Sequence, residues 1–211
     1  MDRIVRYMDK IAELARSIDP RSIRRVSDIL LAAMRERRQV FVFGNGGSAA
    51  TASHFAVDLG KGLQGPGGLR LKAHSLVDAV PAMTAWANDT DYSRIFSEQL
   101  INFVNPGDVV IAISGSGNSP NVLQGVAAAT ERQALTIGLT GFQGGKLKDL
   151  VDFCVIVPSE NMQQIEDLHM ILAHVIYTDL RETLAGWTVD LDARAREVPA
   201  IPFYSQRVPE V

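Results

Sequence analysis

The 211-residue chain contains a single cysteine, Cys154 in VDFCVIVP, so no disulfide can form within it and a reducing compartment is the expectation. A small apolar residue buried in a strand is the plain role for that thiol. Long hydrophobic runs are missing as well. No stretch approaches the roughly 20 apolar residues that span a bilayer, and the opening MDRIVRYMDKIAELARS is broken by charge every few positions, unlike the apolar centre of a signal peptide. Positive charge is not in excess: 21 Lys and Arg stand against 24 Asp and Glu, a net charge of −3. That removes any general attraction to nucleic acid and requires a small anionic ligand to be held by local groups. Internal repeats and low-complexity segments are absent. What remains is a cytoplasmic chain of ordinary composition, long enough to bury roughly 70% of its extended surface in one core.

Apolar residues recur at helical spacing from the start. Ile4, Met8, Ile11, Ala15 and Ile18 mark one face of a first helix. Asp19 and Pro20 then supply an N-cap and a first-turn proline for a second helix over about 20–37. From residue 39 short apolar runs alternate with helical segments. The runs QVFVF, LKAHSL, DVVIAIS, ALTIGLT and DFCVIVP read as strands, and those at 109–113 and 151–157 are almost continuously apolar, as in a sheet buried on both faces. Helices are expected near 47–60, 91–103, 119–132 and 162–184. The expected class is α/β: a three-layer αβα sandwich on a doubly wound, five-stranded parallel sheet, preceded by two helices. Residues 1–186 form one domain in this reading, and 187–211, with Pro199, Pro202 and Pro209, a C-terminal extension. Ligands of such sheets sit beyond the carboxyl ends of the strands, which directs attention to the loops after Phe43, Ile113 and Thr140.

Two of those loops carry anion-binding chemistry. GNGGS at 44–48 joins a strand to a helix, so its glycines permit close backbone approach and the helix start offers unpaired N–H groups. Its spacing matches neither the dinucleotide fingerprint nor the nucleotide phosphate loop, so no nucleotide cofactor is expected. SGSGNSPN at 114–121 places Ser114, Ser116 and Ser119 within six residues, with Ser119 as N-cap and Pro120 as first helical residue. Hydroxyls can donate to phosphate oxygens without carrying charge, although glycine and serine also serve simply to shape a turn. Two such loops at strand ends point to a bound phosphate.

Elsewhere, His54 and Asp58 are four residues apart on a helix, about 40° around its axis, so both can face one site. Glu166 and His174 are eight apart on the last helix, about 80° by the same rotation, and could flank one pocket. His169 lies about 140° from His174 and is the weaker partner. His74 has no placed carboxylate and reads as structural. Taken singly, each of these residues also has a plain explanation: packing for His54, an ion pair with Lys61 for Asp58, and a solvated first-turn acid for Glu166.

The ordered set GNGGSAATASHF, ND at 88–89, SGSGNSPNVL, TGFQGGKL and EDLHMILAH resembles the sugar isomerase (SIS) domains, and among them the phosphoheptose isomerases, over about residues 1–184. The resemblance implies the SIS fold, a zinc-dependent aldose–ketose isomerase, and a homotetramer with active sites at subunit interfaces. By position, Ser114, Ser116 and Ser119 would bind phosphate, and Asn45, Gly46, Ser48, Asp89 and Glu166 would line the sugar pocket. His54, Asp58, Glu166 and His174 would hold zinc, with Asp58 and His174 transferring protons. The chain departs from the family at four places. Asp58 stands where glutamate is usual, Glu166 where glutamine is usual, and Lys61 and Gly62 where glycine and arginine are usual. The implied reaction converts sedoheptulose 7-phosphate to D-glycero-D-manno-heptose 7-phosphate through an enediol-like intermediate. An isomerase of another unusual sugar phosphate, and a non-catalytic module binding a phosphosugar or a protein, are the alternatives.

Overall fold

The structure, a computed structural model, describes residues 2–189; residues 190–211 of the expected C-terminal extension lie outside the described residues. Two helices lead, α1 (Arg3–Ser17) and α2 (Pro20–Arg35). Both are capped at the start, α2 as the sequence predicts. The Asp2 carboxylate accepts from the Ile4 amide at 3.1 Å, and Asp19 accepts from the Arg21 amide at 2.9 Å with Pro20 behind it.

All five expected strands form: β1 (Gln39–Gly44), β2 (Lys72–Ser75), β3 (Val109–Ser114), β4 (Leu135–Thr140) and β5 (Phe153–Ile156). They make one wholly parallel sheet in the order β2-β1-β3-β4-β5. Alternation along each strand divides the core in two. Val40, Val42, Val109, Ile111, Ile137 and Leu139 face a layer built from α1, α2, α3 (Gly47–Val57) and α8 (Met162–Val189). Phe41, Phe43, Val110 and Ala112 face the opposite layer of α4 (Val80–Asp89), α5 (Ser97–Phe103), α6 (Pro120–Glu131) and α7 (Leu147–Leu150). Each fully buried aliphatic side chain contributes about 1.5–3 kcal/mol, so both layers are needed to keep the sheet covered. No described helix is long and apolar enough to cross a membrane.

The helices depart from the sequence expectation at several places. Helices α4 and α7 were not expected. The segment expected as one helix over 91–103 is split into a short 3-10 turn, Tyr92–Arg94, and α5. The helix expected to reach residue 60 ends at Val57, where the backbone widens into a π-type turn over Asp58–Gly62. Strand order positions the site. The chain leaves β1 for β2 on one side and returns to β3 on the other, so the loops after β1 and β3 flank the crevice at the switch point.

Candidate active site

The loop after β3 is a close-fitting cradle. Ser114 Oγ accepts from the Gly117 amide at 3.2 Å, Ser116 Oγ accepts from the Asn118 amide at 3.2 Å, and the Ser114 and Ser119 hydroxyls lie 3.4 Å apart. Ser119 holds the N-cap position of α6, yet its side chain makes no capping hydrogen bond. Its hydroxyl turns toward Ser114 instead. Gly117 has φ +64°, and a Cβ there would overlap the Gly144 carbonyl oxygen, so glycine is required both by conformation and by space. The 141–146 loop thereby buttresses the serine loop, and the Lys146 amide adds a 3.1 Å bond to Asn118 Oδ1.

The two strand-end loops are joined directly. Asn45 Nδ2 donates to Asn121 Oδ1 at 2.9 Å and Asn121 Nδ2 donates back to Asn45 Oδ1 at 2.8 Å. The Tyr92 hydroxyl donates to Asn45 Oδ1 at 3.3 Å. Asn121, 2% exposed, and Tyr92 were not singled out from the sequence. An amide buried in the first turn after a strand-end loop is the signal that could have found Asn121. Ser48 is buried in the first turn of α3, and Gly46 is exposed with φ +54°. Asp89 is exposed at the end of α4, accepting from Asn88 Nδ2 at 2.8 Å, and no hydrogen bond joins it to either loop among the described residues.

Helices α3 and α8 bring the imidazoles together. His54 Nε2 and His174 Nε2 are 2.9 Å apart, and Asp58 Oδ2 lies 3.3 Å from the first and 4.0 Å from the second. Asp58 keeps helical dihedrals one turn after His54, which sets its carboxylate beside that imidazole before the π-type turn runs on. All three donor atoms fall within 4.8 Å of one another, and both imidazoles are about half exposed. Four ligands at about 2.0–2.1 Å around a tetrahedral zinc stand about 3.3 Å apart, so this donor set has the dimensions and the N/O chemistry of a zinc site. Glu166 is not in that cluster. Its carboxylate lies against Gly47, where an added Cβ would stand 2.6 Å from Oε2. His169 is separate too: Nε2 lies 3.1 Å from the Thr140 carbonyl and must donate to it, which leaves Nδ1 bare, buried and without a partner among the described residues. Burial pushes its pKa down to about 4, partly opposed by that hydrogen bond.

The SIS domain family matches residues 6–141. The phosphoheptose isomerase of Rhodospirillum rubrum is 38% identical over 155 residues, covering 74% of this chain and 82% of the relative. That of Thiobacillus denitrificans is 36% identical over 194 residues, covering 88% and 96%. The chain belongs to the phosphoheptose isomerase family of SIS-domain proteins. A solved phosphoheptose isomerase from Neisseria gonorrhoeae superposes on this family member with a TM-score of 0.79 at 30% identity, over 85% of this chain and 97% of the other. Within this SIS-domain chain the departure at Gly62 has a visible counterpart. The Tyr177 ring of α8 occupies the position a Cβ would take, 2.6 Å from the nearest ring atoms. Neighbouring Lys61 is exposed and lines a cleft of about 400 Å³ with His74, Ser75 and Asp78.

Proposed function

We propose that the chain is a cytoplasmic aldose–ketose isomerase that interconverts sedoheptulose 7-phosphate and D-glycero-D-manno-heptose 7-phosphate. The observation that carries this reading is the pairing of a serine loop after β3, whose hydroxyls accept from the loop's own amides and keep protons to donate, with the His54, Asp58 and His174 cluster on α3 and α8. Its family membership supports the same reaction. The phosphate is assigned to Ser114, Ser116 and Ser119 at the start of α6, where amide and hydroxyl donors converge. The sugar is assigned to Asn45, Gly46, Ser48 and Asp89. Asn45 is held by Asn121 and Tyr92, so its orientation is set before the sugar arrives.

His54, Asp58 and His174 would hold a zinc ion. When bound, such an ion supplies a Lewis acid for carbonyl and hydroxyl oxygens. Asp58 and His174 are also the sequence's candidates for proton transfer, and the two duties compete, because side chains holding a metal are poorer bases. The assembly belonging to this reading is a homotetramer with sites at subunit interfaces. The exposed apolar side chains of α1 (Ile4, Val5 and Met8), together with Val57 and Val175 beside the cluster, support it.

The test is NMR of sedoheptulose 7-phosphate in D2O with purified protein, with and without zinc. The expected result is enzyme-dependent aldose formation with deuterium entering next to the carbonyl. Silence while the phosphosugar still binds would replace the isomerase with a binding module.

A further inference from the structure

We propose that the cleft between α3 and the free edge of β2 binds a neutral polyhydroxylated ligand of sugar size, at a site apart from the one assigned to the phosphosugar. The inference stands independently of the isomerase reading above.

The cleft exists because the helix changes its winding. Ser53 and His54 are neighbours, about 100° apart around α3. The first faces β2, with its hydroxyl 3.4 Å from that of Ser75, and the second faces α8. Seven residues on from His54, a regular α-helix would return Lys61 to within about 20° of the His54 face. The π-type turn over Asp58–Gly62, with its longer i to i+5 bonds, rotates less per residue and stops short of that position. Gly62 therefore meets Tyr177 of α8, while Lys61 is left on the β2 side. Small residues keep the space open. Ala56 and Gly60 on the helix side face Ala73 on the strand, and a Cβ added at Gly60 would still lie 3.8 Å from the Ala73 carbonyl oxygen. The cleft holds about 400 Å³, within the range of small-molecule pockets, about 300–1,000 Å³.

The groups around it offer both donors and acceptors. Strand β2 is an edge of the sheet, so part of its backbone is unpaired. The Leu76 amide donates inward to the Val42 carbonyl at 3.0 Å. Alternation along the strand then turns the N–H and C=O of Ala73 and Ser75 outward, and both residues line the cleft. Ser53 Oγ donates its only proton to Asp78 Oδ1, so the Ser53–Ser75 contact is donated by Ser75. That chain commits both hydroxyl protons and leaves the second carboxylate oxygen of Asp78 as an acceptor. Lys61 also lines the cleft and forms no ion pair among the described residues.

This balance selects the ligand. One ammonium and one carboxylate in the same cleft oppose a bare cation and a bare anion alike. Hydroxyls, each a donor and an acceptor, can use the ammonium, the carboxylate and the strand edge together. An added peptide strand would use that edge too, but β2 is only four residues long, begins with Lys72 and has Lys61 beside it. Short edges and lysines are features that discourage strand addition.

The test is saturation-transfer NMR on the full chain, with the neutral sugars sedoheptulose and mannose as probes and an octapeptide of alternating Ser and Thr beside them. A saturable signal from at least one sugar is expected, undiminished by excess sedoheptulose 7-phosphate. Lys61→Met, at an exposed position, and Asp78→Asn should each weaken sugar binding about tenfold or more, while calorimetry shows phosphosugar binding unchanged. No saturable sugar signal, a signal displaced by sedoheptulose 7-phosphate, or a signal that survives both substitutions would overturn the proposal. Saturation by the octapeptide alone would make the edge a strand-addition site and overturn it as well. If sedoheptulose 7-phosphate itself fails to bind, the isomerase reading falls, and the two substitutions still decide this one.

Discussion

Ser119 shows how one side chain can separate a structural duty from a binding one. A serine at an N-cap normally accepts from the helix's own amides, and its replacement by alanine costs about 1 kcal/mol of stability. Here the hydroxyl makes no such bond. Ser119→Ala should therefore leave the melting temperature within about a degree of wild type while weakening phosphosugar binding by about 1.5–3 kcal/mol, the range for hydrogen bonds to charged groups; calorimetry and a thermal melt separate the two. His169 is the converse, a group whose only visible duty is structural. Its folded pKa of about 4 lies below the ordinary value of 6.5, so the unfolded chain binds more protons between those values. Stability from neutral His169 is complete above about pH 6.5 and is lost as pH falls toward 4, on the order of 3 kcal/mol across the window. Urea unfolding at pH 7.5, 5.5 and 4.5 should show this slope, and His169→Gln, which keeps a donor for the Thr140 carbonyl, should flatten it.

At the scale of elements, the serine loop depends on a neighbour that binds nothing itself. Gly117→Ala would force a left-handed residue to carry a Cβ, costing roughly 1–2 kcal/mol, and would drive that carbon into the Gly144 carbonyl. The expected outcome is a lower denaturant midpoint together with phosphosugar affinity reduced at least tenfold, since the loop must open to relieve the overlap. Which elements could be read from the sequence follows from where burial writes a pattern. Strands β1, β3 and β4 announce themselves, because residues buried on both faces leave largely apolar runs, whereas the edge strand β2 is only partly buried; α2 shows its stripe for the same reason, while Ile4 and Met8 of the α1 stripe are exposed. Helix α4 could not be read this way: none of its ten residues is buried, so VPAMTAWAND carries no periodicity to detect. The 91–103 segment misled because Asp91, whose carboxylate accepts from the Ser93 amide at 2.8 Å, starts a separate short turn. Within the site, His54 and Asp58 were legible because helix rotation alone puts them on one face. The separation of Glu166 from that pair was not, since it depends on how α8 lies across α3.

At the scale of the molecule, the sequence indicates how many layers there are but not the order of the strands, which is decided by crossovers that leave no local signature. The order observed makes the loops after β1 and β3 neighbours, and with it comes the Asn45–Asn121 amide pair that no spacing rule anticipates. The same scale governs assembly. Ile4 and Met8, one turn apart on α1, are 72% and 65% exposed, an arrangement suited to a partner subunit. Ile4→Glu combined with Met8→Glu should yield a smaller species by light scattering while retaining the circular dichroism of the folded subunit. On the proposed assembly, with sites at subunit interfaces, turnover should fall in parallel.

The pairing of His54 with His174 joins positions 120 residues apart, and this bears on how the protein comes into being. Every strand and the serine loop leave the ribosome before α8 does. Until α8 arrives, one broad flank of the sheet, including Val109, Ile111, Ile137 and Leu139, lacks the cover of Leu168, Leu172 and Ile176. A nascent chain halted before Met162 would therefore display the loops after β1 and β3 on a sheet still bare on that side, a sticky intermediate and a natural client for chaperones. Helix α8 brings His174 to His54 in the same event that covers this flank of the sheet.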